Sequence, residues 1–188
     1  MSAYDDERWM ALALSVARRA IPAPNPRVGA VVVAEGRFVA LGWHERVGGP
    51  HAEAIALAAA EGKARAGTLY VTLEPCNHYG RTPPCASAIL ASGVKRVVIG
   101  ARDPNPHVTG GGAARLTDCG IEVCFGVLAH EAQQLVEEWA ARLTGPSSLA
   151  TQTAAPCEYT TRRTRDGACR ARDAIGLASP RRGGGRYA

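Results

Sequence analysis

Residues 68–99 read TLYVTLEPCNHYGRTPPCASAILASGVKRVVI, and the order of elements within them determines the architecture. A β-branched and apolar run, Thr68–Leu73, predicts a buried strand, and a second such run, Arg96–Ile99, predicts another. Between them a turn-rich loop leads into an alanine-rich helix, Cys85–Ala91, which Gly93 ends. A strand, a helix and a strand in this order form a crossover unit, so we expect the two strands to lie parallel.

The rest of the chain up to about residue 145 extends this alternation from an N-terminal hairpin. Two apolar runs joined by Glu35-Gly36-Arg37 are typical of an antiparallel pair. The predicted order is α-β-β-α-β-α-β-α-β-α. We therefore expect an α/β fold, a three-layer α/β/α sandwich with a mixed five-stranded sheet. The other predicted elements are helices at Glu7–Arg19, from Pro50 to about Gly62, Ala113–Cys119 and His130–Leu143, and strands at Val28–Ala34, Phe38–Trp43 and Ile121–Phe125.

Composition places the chain among globular proteins and argues against a membrane span. The 188 residues are 46% hydrophobic and 21% charged. No apolar run reaches the length of about 18 residues that a spanning helix needs. The acidic N-terminus, residues 1–7, lacks the apolar region of a secretory signal, so we expect a cytoplasmic location. In that compartment, six cysteines indicate metal binding, catalysis or burial rather than disulfides.

Charge and apolar content both change near residue 145. Residues 1–144 carry equal numbers of acidic and basic side chains, whereas the net charge of +5 comes entirely from residues 145–188. Large apolar side chains are sparse in residues 146–188 and no period persists there, so this segment buries too little surface to offset its ordering entropy. We predict one folded domain over residues 1–145 and a disordered Arg-, Ala- and Gly-rich tail over residues 146–188.

Three side chains that can ligate a metal stand at predicted element boundaries: His51 at a helix start, Cys76 after a strand and Cys85 at the next helix start. A catalytic zinc takes three protein ligands and keeps its fourth position for water. Glu53 adds a carboxylate that can move a proton between that water and a substrate. His-x-Glu followed by Pro-Cys and a second cysteine is typical of zinc deaminases, although eight residues separate the thiols here instead of two.

We therefore predict a catalytic zinc site, and two alternatives stay open. Two buried thiols and a helix-capping histidine would explain the three residues separately. A closed structural zinc would need a fourth ligand, for which His78 is the local candidate.

The loop from Cys76 to Cys85, CNHYGRTPPC, resembles the zinc loop of the bacterial riboflavin-biosynthesis pyrimidine deaminases, within the cytidine deaminase superfamily. The resemblance covers about residues 5–145. It implies a cytidine deaminase-like fold with Zn²⁺ as cofactor. It also implies hydrolytic deamination of 2,5-diamino-6-(5-phosphoribosylamino)pyrimidin-4(3H)-one to the 5-aminouracil product and ammonia. The other matching stretches are Asn25-Pro26-Arg27-Val28-Gly29-Ala30, Gly48-Gly49-Pro50-His51-Ala52-Glu53-Ala54 and Asp103-Pro104-Asn105-Pro106.

The same resemblance assigns roles to individual side chains. Glu53 matches the proton shuttle, and His51, Cys76 and Cys85 match the zinc ligands. A small phosphorylated pyrimidine is the implied partner. Among the substrate contacts, Asn25, His44 and His78 match positions that hold or stack on the pyrimidine, and Arg81, Thr82, Asp103 and Asn105 match positions around the ribose phosphate.

The sequence departs from the family pattern in two places. Gly111 stands where the family usually has a basic residue. The family's usual C-terminal reductase domain has no counterpart in residues 146–188, so we expect a separate reductase. Self-association into a homo-oligomer and a substrate whose sugar is already reduced to ribityl are open alternatives.

Two other functions are open beside the deamination of a small molecule. A superfamily member could act on bases in nucleic acid, but the neutral domain lacks the clustered basic surface that binds phosphates. A catalytically silent domain could use its basic tail to bind polyanions. The intact set of Glu53 and the three predicted ligands argues against that second alternative.

Overall fold

The computed structural model describes residues 3–20, 24–80, 82–105, 111–144 and 158–160. The order of its first ten elements confirms the predicted alternation of helices and strands. The helices are α1 (Ala3–Ala17), α2 (Ala52–Ala59), α3 (Cys85–Ser92), α4 (Gly112–Asp118) and α5 (Ala129–Thr144). The strands are β1 (Gly29–Ala34), β2 (Arg37–Trp43), β3 (Thr68–Leu73), β4 (Arg96–Ala101), β5 (Glu122–Phe125) and β6 (Glu158–Thr160).

The strands form one mixed sheet in the order β2-β1-β3-β4-β5-β6. Strand β1 pairs antiparallel with β2 and β3, whereas β3, β4 and β5 run parallel. All six residues of β3 are buried, which explains why the strand is apolar throughout rather than alternating. The five predicted strands and the mixed topology are confirmed.

One short strand, β6, lies within the segment that the sequence predicts to be a tail. Glu158–Thr160 pairs antiparallel with β5, with Cys124 opposite Tyr159. A three-residue edge strand carries too little hydrophobic period to be recognised from sequence, and the unpaired backbone groups of β5 select it instead. The remainder of the predicted tail lies outside the described residues.

Helices cover both faces of the sheet, as the two glycines of the hairpin show. A Cβ atom at Gly29 would collide with the backbone of α1, and one at Gly42 would lie 2.6 Å from the backbone nitrogen of Ala56 in α2. Gly42 pairs with Ala30, the neighbour of Gly29, so the two glycines face opposite sides of the sheet. The three-layer α/β/α arrangement is thereby confirmed. No helix in the described ranges is both long and apolar enough to cross a membrane.

Two of the cysteines outside the predicted metal site differ from expectation. Cys119 and Cys124 are disulfide-bonded rather than free thiols. The free cysteines among the described residues are Cys76 and Cys85.

A buried ionic network ties α1 to the amino ends of the parallel strands. The Arg96 guanidinium donates to both carboxylate oxygens of Asp6, at 2.7 and 2.8 Å, and its Nε donates to Glu122 at 2.9 Å. The Tyr70 hydroxyl donates to Asp6 at 2.8 Å. Burial together with this hydrogen bond raises the pKa of Tyr70, so the phenol stays protonated. The network joins four elements at the end of the sheet opposite the loops that follow β3 and β4.

Asp6→Ala should destabilise the fold much more than Glu122→Gln. The Asp6 side chain is 4% exposed and its loss leaves a nearly buried guanidinium without its bidentate partner, which costs about 3 kcal/mol. The Glu122 side chain is 39% exposed, so removing its charge costs less than about 1 kcal/mol. Urea unfolding of both variants measures the difference, and equal losses would contradict the structural role of Asp6.

Candidate metal centre and active site

The site lies where β3 and β4 end and α2 and α3 begin. His51 occupies the N-cap of α2 in an extended conformation, with φ −75° and ψ 161°, and Glu53 lies in the first turn of that helix. Cys76 follows β3, and Cys85 is the first residue of α3. Because the carboxyl ends of parallel strands and the amino ends of crossover helices share one edge, these four side chains can meet there.

The three predicted ligands converge on one point. Their donor atoms all lie within 4.8 Å of one another. The Nδ1 atom of His51 is 3.6 Å from Cys76 Sγ and 3.2 Å from Cys85 Sγ. A tetrahedral zinc with Zn–S near 2.3 Å and Zn–N near 2.0 Å separates such donors by about 3.6 Å. Two sulfurs and one imidazole nitrogen, at these separations, fit Zn²⁺ in both donor type and spacing.

Backbone bonds hold the long loop between the two cysteines in place. The Cys85 N–H donates to Cys76 Sγ at 3.3 Å, and the Ala86 N–H donates to the Cys76 carbonyl at 3.1 Å. Farther along the loop, Arg115 from α4 donates to Asn77 Oδ1 at 2.9 Å. The eight residues between the thiols therefore do not separate them in space, which removes the objection raised by their unusual spacing.

The hydrogen bonds and charges of the cluster favour loss of the proton from one of its two thiols. Hydrogen bonding from the Cys85 thiol, together with His51, lowers the pKa of Cys76 to about 4. The bond to Cys76 and burial raise the pKa of Cys85 far above its usual range. The hydrogen bond with Cys76 also raises the pKa of His51. Without a cation, the cluster thus keeps a proton on one sulfur, and metal binding would release it.

Glu53 is buried beside this cluster with a side chain that does not belong to the donor set. It is 3% exposed and forms a hydrogen bond with the Cys85 thiol. Burial raises the pKa of Glu53, so this carboxyl group stays protonated up to a higher pH than a solvated carboxyl group does. A carboxylate with this property suits proton transfer in both directions.

Two cavities open onto the cluster and share Asn25, His44, His51, Cys76 and His78. The carboxylate cavity, of about 220 Å³, is further lined by Glu53, Glu74, Asp103, Asn105 and Trp139, among others. The glycine-loop cavity, of about 580 Å³, is further lined by Val47, Gly48, Gly49, Gly80 and Thr82, among others.

The structure divides the predicted substrate residues between these cavities. Asn25, His44 and His78 lie at both, and His78 is exposed at the rim. Thr82 lines the glycine-loop cavity, whereas Asp103 and Asn105 line the carboxylate cavity. The contact of these three residues with a ribose phosphate stays a prediction. Arg81 lies outside the described residues.

Two residues of the site were not predicted from sequence. Glu74 accepts hydrogen bonds from the Asp103 and Ala113 N–H groups, at 3.4 and 3.3 Å, and a Cβ at Gly111 would collide with it. The sequence feature that could have identified Glu74 is its position directly before Pro75-Cys76. Trp139 comes from α5, far along the chain, and packs against the hydrophobic core; only the tertiary packing also brings it to the cavity.

The architecture and the donor set define a class of protein, and comparison with known sequences supports it. Residues 3–101 match the sequence model of the cytidine and deoxycytidylate deaminase zinc-binding region. The chain belongs to this family of zinc-binding deaminases.

Individual relatives narrow the comparison to deaminases of riboflavin biosynthesis and their named pyrimidine substrate. The chain is 55% identical over 136 residues to the riboflavin biosynthesis protein RibD of Aquifex aeolicus, covering 71% of this chain and 38% of that protein. It is 53% identical over 112 residues to the diaminohydroxyphosphoribosylamino-pyrimidine deaminase of Buchnera aphidicola, covering 60% of this chain and 76% of that protein.

A solved structure extends the comparison to the fold. A deaminase/reductase from Thermotoga maritima is 47% identical with a TM-score of 0.71, covering 76% of this chain and 42% of that chain. Against RibD proteins of this kind, the chain spans less than half of the relative's length.

His51→Asn should lower zinc content, whereas His130→Asn should not. His51 supplies the nitrogen donor of the cluster, while His130 lies exposed on α5, where its ring contacts Gln134. Zinc per chain, measured by mass spectrometry of purified protein, is expected to fall about tenfold or more in the first variant only. Full zinc content in the His51 variant would contradict the assigned donor set.

Alkylation of the metal-free protein should distinguish the two site cysteines. Because its pKa lies near 4, Cys76 is a thiolate throughout about pH 5 to 8, and its reaction with iodoacetamide should vary little with pH. Cys85, with its raised pKa, should react slowly. In urea both rates should rise with pH as for ordinary thiols. A steep pH dependence for Cys76 in the folded protein would contradict the assignment.

Proposed function

We propose that this chain is a zinc-dependent deaminase that hydrolyses 2,5-diamino-6-(5-phosphoribosylamino)pyrimidin-4(3H)-one to the 5-aminouracil product and ammonia. The observation that carries the proposal is the buried Glu53 carboxyl group beside the His51, Cys76 and Cys85 donors, at the wall of the carboxylate cavity. The named Buchnera aphidicola relative, which the chain matches over most of that protein's length, supports the choice of substrate.

In the reaction a water molecule adds to C2 of the pyrimidine and the 2-amino group leaves as ammonia. The C–N bond to that group breaks, and the new C–O bond becomes the carbonyl of the product. Zinc, held by His51, Cys76 and Cys85, supplies a Lewis acid that makes water a better nucleophile at neutral pH.

Glu53 performs the proton transfers. Its carboxylate accepts a proton from the attacking water and delivers it to the ring nitrogen, and a second transfer converts the amino group into a neutral leaving group. Burial, which raises the pKa of Glu53, makes both protonation states accessible during one turnover. The low exposure of the carboxyl group also keeps bulk water from competing for that proton.

The two cavities suggest how the substrate is oriented. The carboxylate cavity, beside Glu53, suits the pyrimidine ring, with Asn25 and His44 on its wall. The phosphoribosyl group then extends past His78 into the larger glycine-loop cavity, where Thr82 offers a hydroxyl group and Arg81 precedes it in the chain. In this arrangement, Asp103 and Asn105 contact the pyrimidine side rather than the phosphate, a change from the role that the resemblance implied.

The proposal extends to the chain's organisation and surroundings. Every described residue of the two cavities lies between positions 24 and 139, so we take the domain of residues 1–145 as the catalytic unit. We propose that a reductase acts on the 5-aminouracil product, because the Thermotoga maritima protein that the chain resembles is named as a deaminase and reductase. We propose the cytoplasm as the location, where the free thiols of Cys76 and Cys85 stay reduced; the disulfide-bonded Cys119 and Cys124 are an exception in such a compartment.

Glu53→Gln should abolish deamination without removing zinc. The amide keeps the shape of the side chain but cannot accept and return the proton, so the rate of ammonia release should fall by about 10²–10⁴-fold. Glu137→Gln, an exposed carboxyl group on α5, is the matched control and should keep the wild-type rate.

The assay should use the ribosylamino and ribitylamino pyrimidine phosphates, with cytidine and deoxycytidylate as alternatives, and zinc should be measured on the same samples. Release of ammonia from the ribosylamino compound alone supports the proposed substrate. Preference for cytidine or deoxycytidylate would contradict it, and full activity of Glu53→Gln would contradict the mechanism.

A further inference from the structure

His44 has the contacts of a residue that orients its neighbours. It directly follows β2, is 3% exposed, and lies at both cavities. Its ring meets that of His51 edge to face, with centroids 5.3 Å apart and planes at 77°. Both of its ring nitrogens are already within hydrogen-bond distance of protein atoms, so neither is left for a ligand.

One of these contacts determines where the ring carries its proton. His44 Nδ1 is 3.0 Å from the carbonyl oxygen of Pro50. A carbonyl oxygen can only accept a hydrogen bond, so Nδ1 must be the donor. In the neutral ring the lone pair then resides on Nε2, which makes Nε2 an acceptor.

The second contact fixes the orientation of the Asn25 amide group. His44 Nε2 is 3.0 Å from the Asn25 amide nitrogen, so the amide N–H donates to the ring. An asparagine amide can otherwise rotate by half a turn, which exchanges its donor and acceptor. With Nδ2 held by His44, the Oδ1 atom takes the other edge of the planar amide. Among the described residues, none donates a hydrogen bond to Oδ1. Asn25 lines both cavities, so that oxygen is available to a ligand there.

We propose that His44 is a positioning residue, which through a proton on Nδ1 fixes the Asn25 amide so that Asn25 Oδ1 accepts a hydrogen bond from the substrate. The inference rests on the proposed function for the identity of the ligand. It replaces direct stacking of His44 on the pyrimidine with an indirect role. It also predicts that the site selects a substrate with an N–H or O–H donor opposite Asn25.

The proton position can be measured without any substrate. Zinc-loaded protein containing ¹⁵N-labelled histidine, with His44 assigned by through-bond correlations in the unmodified chain, should show Nδ1 protonated and Nε2 unprotonated. A ring protonated on Nε2, alone or together with Nδ1, overturns the proposal. This measurement is independent of whether the chain deaminates the proposed compound, so it separates failure of the inference from failure of the proposed function.

Kinetics test whether His44 acts through Asn25. In His44→Asn, the shorter amide can still donate to Pro50 but cannot reach Asn25, so KM should rise about tenfold, the effect of one hydrogen bond, with kcat changed less. Asn25→Ala should raise KM by a similar factor. The double variant should be no worse than Asn25→Ala, because both changes remove the same contact. His44→Gln, whose amide oxygen can reach the position of Nε2, should recover part of the loss.

Contrary outcomes are equally definite. If the KM increases of the two single variants multiply in the double variant, His44 contacts the substrate independently of Asn25. A fall in zinc content in His44→Asn would show that the ring supports His51 instead. Either result overturns the proposal.

Discussion

Function in this chain depends on one geometric constraint, that donor atoms from three separate segments lie within reach of a single ion. His51 is placed by the amino end of α2, which approaches β2 closely only because Gly42 lacks a side chain. Cys76 is placed by the end of β3, and the N–H of Cys85 is bonded to its sulfur. Two thiols and an imidazole this close compete for protons, and binding of a divalent cation would release those protons. The sheet and its helices are therefore the means by which the donors are held together.

Burial sets the chemistry around the cluster. Two thiolates would neutralise a divalent ion there, and Glu53 is a carboxyl group beside the donors that is not one of them; Glu74 and Asp103 line the same cavity as Glu53. The 3% exposure of Glu53 and its position at the wall of a small cavity place the carboxyl group where it can exchange a proton with a bound molecule. Asn25 and His44 occupy the same wall, where their side chains can form hydrogen bonds with a polar heterocycle.

Stability and chemistry are separated along the parallel strands. The buried bonds among Asp6, Tyr70, Arg96 and Glu122 join α1 to β3, β4 and β5 at the strands' amino ends. The loops at the carboxyl ends carry the cavities and the metal donors. A parallel sheet favours this division, since its strand ends point in one direction and the crossover helices begin there. Loops at that end can vary while the ionic network keeps the strands in register.

The element order and the donor set follow from the sequence alone, because both depend on local information. Hydrophobic period identifies each strand and helix, and the His-x-Glu and Pro-Cys patterns identify the chemistry of the side chains. Tertiary structure alone placed Thr82 and Asp103 in different cavities, brought Trp139 from α5 to the site, and paired Asn25 with His44. The hydrophobic period indicates which face of its own element a residue occupies, and a motif indicates which chemistry its side chains can perform. They contain no distance between segments far apart in the chain, and such distances arise only when the layers pack.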